Sequence, residues 1–141
     1  MFFKDSAKAG DIQQGNEGDC WFLAAIATVT NYEGLLEKIC VARDEKVGVY
    51  GFVFMRDGEW CSVIIDDQLF LRQLDYHDAD GYMKWAFKGK EGDYERVFSK
   101  GSEALIAAKC EDANETWLPL LEKAFAKIHG DFHAIAGGYT G

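Results

Sequence analysis

Apolar and polar positions alternate between two rhythms along this chain, and the change of rhythm marks its elements. Residues 20 to 29, CWFLAAIATV, are apolar on every side of a helical wheel, the pattern of a helix enclosed by protein. Asp19 stands where an N-cap would. A second helical pattern, YEGLLEKICVA, follows after Asn31 and sets Leu35, Leu36, Ile39 and Cys40 on one face. The rhythm then shortens to two. VGVYGFVFM and WCSVIID flank a four-residue connection, RDGE, and both are rich in β-branched and aromatic residues. With Asp57-Gly58 between them, residues 47 to 66 are predicted to form a β-hairpin.

Residues 67 to 101 keep no steady period and read as mostly loop with one short helix, and SEALIAAKC reads as a further short helix. The helical rhythm returns in WLPLLEKAFAKIHG, where Trp117, Leu118, Leu121, Phe125 and Ile128 recur on one face. Pro119 sits near its start and Gly130 is the expected C′ residue. The chain closes on a glycine-rich stretch, AIAGGYTG. Helices and an antiparallel hairpin in one chain of this length predict an α+β fold in a single domain over 1–141.

Composition narrows the function classes. The 141 residues are 48% hydrophobic, enough for a packed core, and carry a net charge of −9. No basic cluster stands out, so phosphate-led binding of nucleic acid is not expected. The longest apolar run, CWFLAAIA, falls short of the roughly 18 residues of a membrane span, and the N-terminus lacks the apolar stretch of a secretory signal. A cytoplasmic location is the expectation. Cys20, Cys40, Cys61 and Cys110 are widely spaced with no CxxC pair, which suits reduced thiols better than zinc or disulfides.

Cys20 is the thiol with chemistry around it. A cysteine opening an apolar helix is ordinarily a packing residue. A helix N-terminus, however, favours a thiolate, the form that attacks a carbonyl carbon. Gly15 and Gly18 let the preceding backbone fold tightly, and Gln14, six residues upstream, can turn its amide back beside the Cys20 N–H as a donor pair for an oxyanion. Together these favour a nucleophile over a packing cysteine.

At this point the residues resemble a known family. QGNEGDCWFLAAIA is similar to the active-site segment of the calpain-type cysteine proteases and, more loosely, to the papain signature. The resemblance continues through GEWCSVIIDDQL and NETWLPLLEKAFAKIHGDFHAIAGG. Residues about 70–110 look like an insertion relative to animal calpains. The resemblance implies the cysteine-bearing half of a papain-like protease core, with Cys20 as nucleophile, Gln14 as oxyanion donor and Trp21 beside the cleft. It also implies calcium held by loop carbonyls with Asp11 and Glu115. Ala9 stands where the family usually has a basic residue tied to its second subdomain.

A thiol protease also needs a histidine and a residue to orient it, and in papain-like chains the histidine lies roughly 130–150 residues after the cysteine. Only 121 residues follow Cys20. His77, His129 and His133 read as exposed or capping residues rather than as that base. The expectation is half of a split site, inactive alone, whose histidine and asparagine come from a second subdomain and whose substrate is protein or peptide. Two alternatives stay open: a non-catalytic interaction or regulatory module, and a calcium-sensing fragment with a vestigial cysteine. YHDADGYMKWAF brushes against an EF-hand loop, but Tyr76 and Phe87 occupy the positions of its first carboxylate and its glutamate.

Overall fold

In a computed structural model of the chain, the structure describes residues 2, 12–13, 18–73, 75–100 and 102–138. Two helices and a three-stranded antiparallel sheet share one core. Helix α1 (Cys20–Thr30) begins where expected and runs into Thr28, Val29 and Thr30, whose β-branching lowers helix propensity. The hydroxyls of Thr28 and Thr30 bond back to the carbonyls of Ala24 and Ala27, competing with the helical ladder near its end. The expected enclosure of α1 is corrected: Phe22, Leu23 and Ile26 are buried, while Ala24 and Ala25 are exposed.

Helix α2 (Leu35–Ile39) is shorter than the sequence pattern predicts. Cys40–Asp44 leaves it to become strand β2, pairing antiparallel with β3 (Val49–Arg56) from Cys40↔Phe52 to Asp44↔Val49 through a bulge. Here long-range pairing overrides a local helical period, since strand formation depends on cross-strand neighbours more than on intrinsic preference. Strand β4 (Glu59–Asp66) completes the hairpin in unbroken register from Arg56↔Glu59 to Val49↔Asp66. The predicted hairpin is present, with a tighter turn than RDGE. Only Asp57 and Gly58 connect the strands, at φ 53° and 83°, the positive pair that matches strand twist.

Helix α5 (Trp117–His129) lies against this hairpin. Its Phe125 is the meeting point of the core. The ring stacks on Phe22 at 4.4 Å and meets Trp21 and Phe54 edge-on at 5.9 Å and 5.6 Å. Lys127 donates to the Ile64 carbonyl at 2.8 Å, Lys123 reaches Asp66 and the Gln68 carbonyl, and Arg56 donates to the Ile128 carbonyl. Helix and strand edge are thus tied from both sides. Phe2 closes the far side of the core, stacked on Tyr50 at 5.3 Å with the Arg43 guanidinium over its ring.

The segment between β4 and α5 is more structured than the loop expected. It holds α3 (Gly81–Ala86), α4 (Glu91–Tyr94) and a π-helical turn at Glu95–Ser99. Asp80 caps α3 by accepting from the Met83 amide at 2.8 Å. Tyr94, fully buried, packs within 5.2–5.6 Å of Tyr76, Phe87 and Phe98, an aromatic core with no sequence period to announce it. SEALIAAKC is not an α-helix. It makes a 3₁₀ turn at Ser102–Ala104 and then strand β5 (Lys109–Cys110), which pairs antiparallel with β1 (Ile12–Gln13). Among the described residues no helix is long and apolar enough to cross a membrane.

Candidate active site

Cys20 is the first residue of α1 and is exposed. The carbonyl of Asp19 accepts from the amides of Phe22 and Leu23 at 2.9 Å and 3.1 Å, so the cysteine rides on the first closed turn. Asp19 holds the N-cap position by this backbone bonding alone. Its side chain makes no cap bond and is fully buried, which corrects its expected role as a side-chain cap.

Two contacts fix the segment around the cysteine. The Gly18 carbonyl accepts from the Gly137 amide at 2.8 Å, and the Trp21 indole N–H donates to the Ile135 carbonyl at 2.8 Å. Gly138 lies so close to the indole that a Cβ there would fall 2.6 Å from the ring. The glycine-rich stretch read from sequence as a mere chain end therefore flanks the head of α1. Its Gly137-Gly138 pair, which permits such an approach, was the available signal.

Earlier in the chain, Gln13 is held in β1 opposite Lys109. Gln14, the expected oxyanion donor, lies outside the described residues, as do Asp11 and Ala9. Glu115 is described, buried to 9% exposure just before α5. Ile12, the chain neighbour of Asp11, pairs with Cys110, which stands five positions before Glu115 in the sequence. Among the described residues no three His, Cys, Asp or Glu side chains converge as a metal cage.

The other thiols differ from Cys20. Cys110 is buried, Cys40 and Cys61 are half-buried, and burial pushes the Cys40 thiol above its ordinary pKa with Arg43 opposing weakly. None of the described histidines hydrogen-bonds Cys20. His129 Nδ1 sits 2.9 Å from the Phe125 carbonyl with its ring against that phenyl, and His133 belongs to a 3₁₀ turn at His133–Ile135. The structure thus presents an exposed thiol at a helix head, with none of the described histidines hydrogen-bonded to it.

One buried acid escaped the sequence reading. Glu122, fully buried in α5, accepts from the Ala108 amide at 2.6 Å and so ties the helix to the residue just before β5. A glutamate one turn beyond Leu118 on an otherwise apolar face was its signal.

Comparison with known proteins agrees with this geometry. The family model described as calpain family cysteine protease matches residues 1–86 and 94–141. The gap falls inside the segment of α3 and α4. Mouse calpain-8 is 37% identical over 99% of this chain, chicken calpain-2 catalytic subunit 34% over 99%, and a Schistosoma mansoni calpain 34% over 97%. The chain spans 15–16% of the length of these relatives. With its cysteine at the head of α1 and matches along nearly all its length, the chain belongs to the calpain family of cysteine proteases.

Proposed function

We propose that this chain is the cysteine-bearing half of the catalytic core of a calcium-dependent cysteine endopeptidase acting inside the cell, and that alone it has little or no peptidase activity. The observation that carries this reading is Cys20, exposed at the head of a helix whose opposite face is buried against Phe125. Ala24, one turn along α1 from Cys20, is exposed as well, an apolar continuation suited to a second subdomain.

In the assembled core, the Cys20 thiolate attacks the scissile carbonyl carbon, forming a C–S bond as the carbonyl π bond opens to an oxyanion. The Gln14 amide and the Cys20 N–H donate to that oxyanion. Collapse expels the amine, which takes its proton from the imidazolium of the complementary half. Water, giving a proton to that imidazole, then attacks the thioester. Release of the carboxylic acid restores the thiolate.

Asp11 and Glu115 are the side chains that would hold calcium. Carboxylate oxygens are the hard donors this ion takes. When bound, calcium would supply a fixed positive charge to these two carboxylates.

The test is peptide hydrolysis by the pure chain, then by the chain mixed with the histidine- and asparagine-bearing subdomain of a calpain relative, with and without calcium. Activity is expected only in the calcium-containing mixture, and Cys20→Ala is expected to abolish it. Hydrolysis by the chain alone that disappears in Cys20→Ala would overturn the half-site. Silence of the mixture although the two halves bind would favour a non-catalytic interaction module.

A further inference from the structure

Asp19 is fully buried, yet neither of its carboxylate oxygens has a hydrogen-bond partner among the described residues. An aspartate at an N-cap ordinarily accepts from the second or third amide of its helix. Here the Phe22 amide is taken by the Asp19 main-chain carbonyl, and the side chain is left over. Burying an ionised carboxylate with no donor is costly, and buried polar groups are otherwise almost always paired. The anomaly sits at the residue before the nucleophile.

Cys20 and Ala24 leave that end of α1 exposed, and the chain spans only 16% of the length of calpain-8. We propose that Asp19 is a positioning residue for Cys20: its carboxylate is an acceptor kept for an N–H or cationic donor that arrives with the histidine-bearing half. Docking uncovers the carboxylate, which is fully buried in this chain, and its pairing with the incoming donor fixes the head of α1 in its reacting geometry. This rests on the split-site reading above and adds to it a residue through which assembly reaches the nucleophile.

The experiment compares Asp19→Asn, Asp19→Ala and Asp19→Glu with the native chain in two settings. In the 141-residue chain alone, Asp19→Asn is expected to unfold at a higher urea concentration, because an unpaired buried amide is less costly than an unpaired carboxylate. With the histidine-bearing subdomain supplied, the same variant is expected to bind that subdomain at least tenfold more weakly. Its kcat should fall at least tenfold with KM within twofold, and Asp19→Glu should recover part of the loss where Asp19→Ala does not. This opposite response in the two settings is what a merely structural acid would not give. If Asp19→Asn destabilises the chain alone, the donor already lies within this chain and the proposal is wrong. It is equally wrong if binding and kcat are unchanged. Failure of the native mixture to hydrolyse peptide would count against the proteolytic reading alone, since the urea and binding measurements still decide the role of Asp19.

Discussion

The indole of Trp21 and the carbonyl of Ile135 are joined by a 2.8 Å hydrogen bond across 114 positions of chain. That bond seats the 135–138 stretch against the residue after the candidate nucleophile, and Gly138 packs on the same ring. Trp21→Phe keeps most of the apolar area but strands the carbonyl of a buried residue, a loss of roughly 1–3 kcal/mol. Gly138→Ala drives a methyl into an indole held in place by its own hydrogen bond, and overpacking of this kind costs about 1–3 kcal/mol. Because both act on one ring, the pair in a single chain should be clearly non-additive. Urea unfolding of the two single variants and the double variant measures this, and strict additivity would show that the two contacts are independent.

Glu122 gives a second prediction. Its carboxylate accepts from the amide of Ala108, and both residues are fully buried. Glu122→Gln keeps an acceptor of the same shape and should be tolerated better than Glu122→Leu. The leucine leaves the Ala108 N–H without that partner, at about 1–3 kcal/mol. The amide hydrogen-exchange rate at Ala108 should rise sharply in Glu122→Leu and much less in Glu122→Gln. Equal exchange in both variants would mean that this bond does not hold the strand.

The parts of the fold that local rules decide were legible in the sequence. Asp57-Gly58 specifies a two-residue turn by its need for positive φ, and the hairpin follows. The apolar run after Cys20 specifies α1. What was not legible depends on partners distant in sequence. Cys40 continues a helical face on paper but pairs with Phe52 in space. Tyr94 becomes a core residue because Tyr76, Phe87 and Phe98 surround it, and no period marks aromatics gathered from separate turns. The all-round apolarity of α1 read as burial, although Ala24 and Ala25 are exposed. A helix wheel records which faces avoid water without saying whether the covering surface belongs to the same chain. At the site, Gln14, Gly15, Gly18 and Trp21 together drew attention to Cys20, which is exposed, whereas the burial of the Asp19 carboxyl could not be read from its position.

Acid should loosen the molecule in part through two exposed ion pairs. The hydrogen bond from Lys123, reinforced by the Gln68 amide, holds the Asp66 carboxyl below its ordinary 3.8, and the Lys109 ammonium does the same for Glu103 against 4.5. A carboxyl with a lowered folded-state pKa stabilises the fold above its unfolded value, and that contribution is lost as pH falls through the folded value. The window therefore lies below about pH 4.5. Solvent screening keeps each pair small. The Asp66→Asn, Glu103→Gln double variant should show a shallower decline of its urea midpoint between pH 5 and pH 3 than the native chain. Parallel declines would mean that neither pair contributes.

The thiols should react in an order set by their surroundings. Cys110 is buried, and burial raises the Cys40 thiol so that less thiolate is present at neutral pH. Cys61 is half-buried, its Sγ 3.4 Å from the Phe54 carbonyl. Cys20 is exposed and heads an 11-residue helix. Substoichiometric iodoacetamide at pH 7 should therefore label Cys20 first, as read by peptide mapping, with Cys61 next and Cys110 last. Cys20→Ala removes an exposed sulfur and opens no cavity, so its stability should stay within about 0.5 kcal/mol of the native chain. Those two results together separate a thiol kept for chemistry from one kept for packing. If Cys40 or Cys61 labels ahead of Cys20, or if Cys20→Ala unfolds the chain, the sulfur at the head of α1 serves the core and the nucleophile must be sought elsewhere.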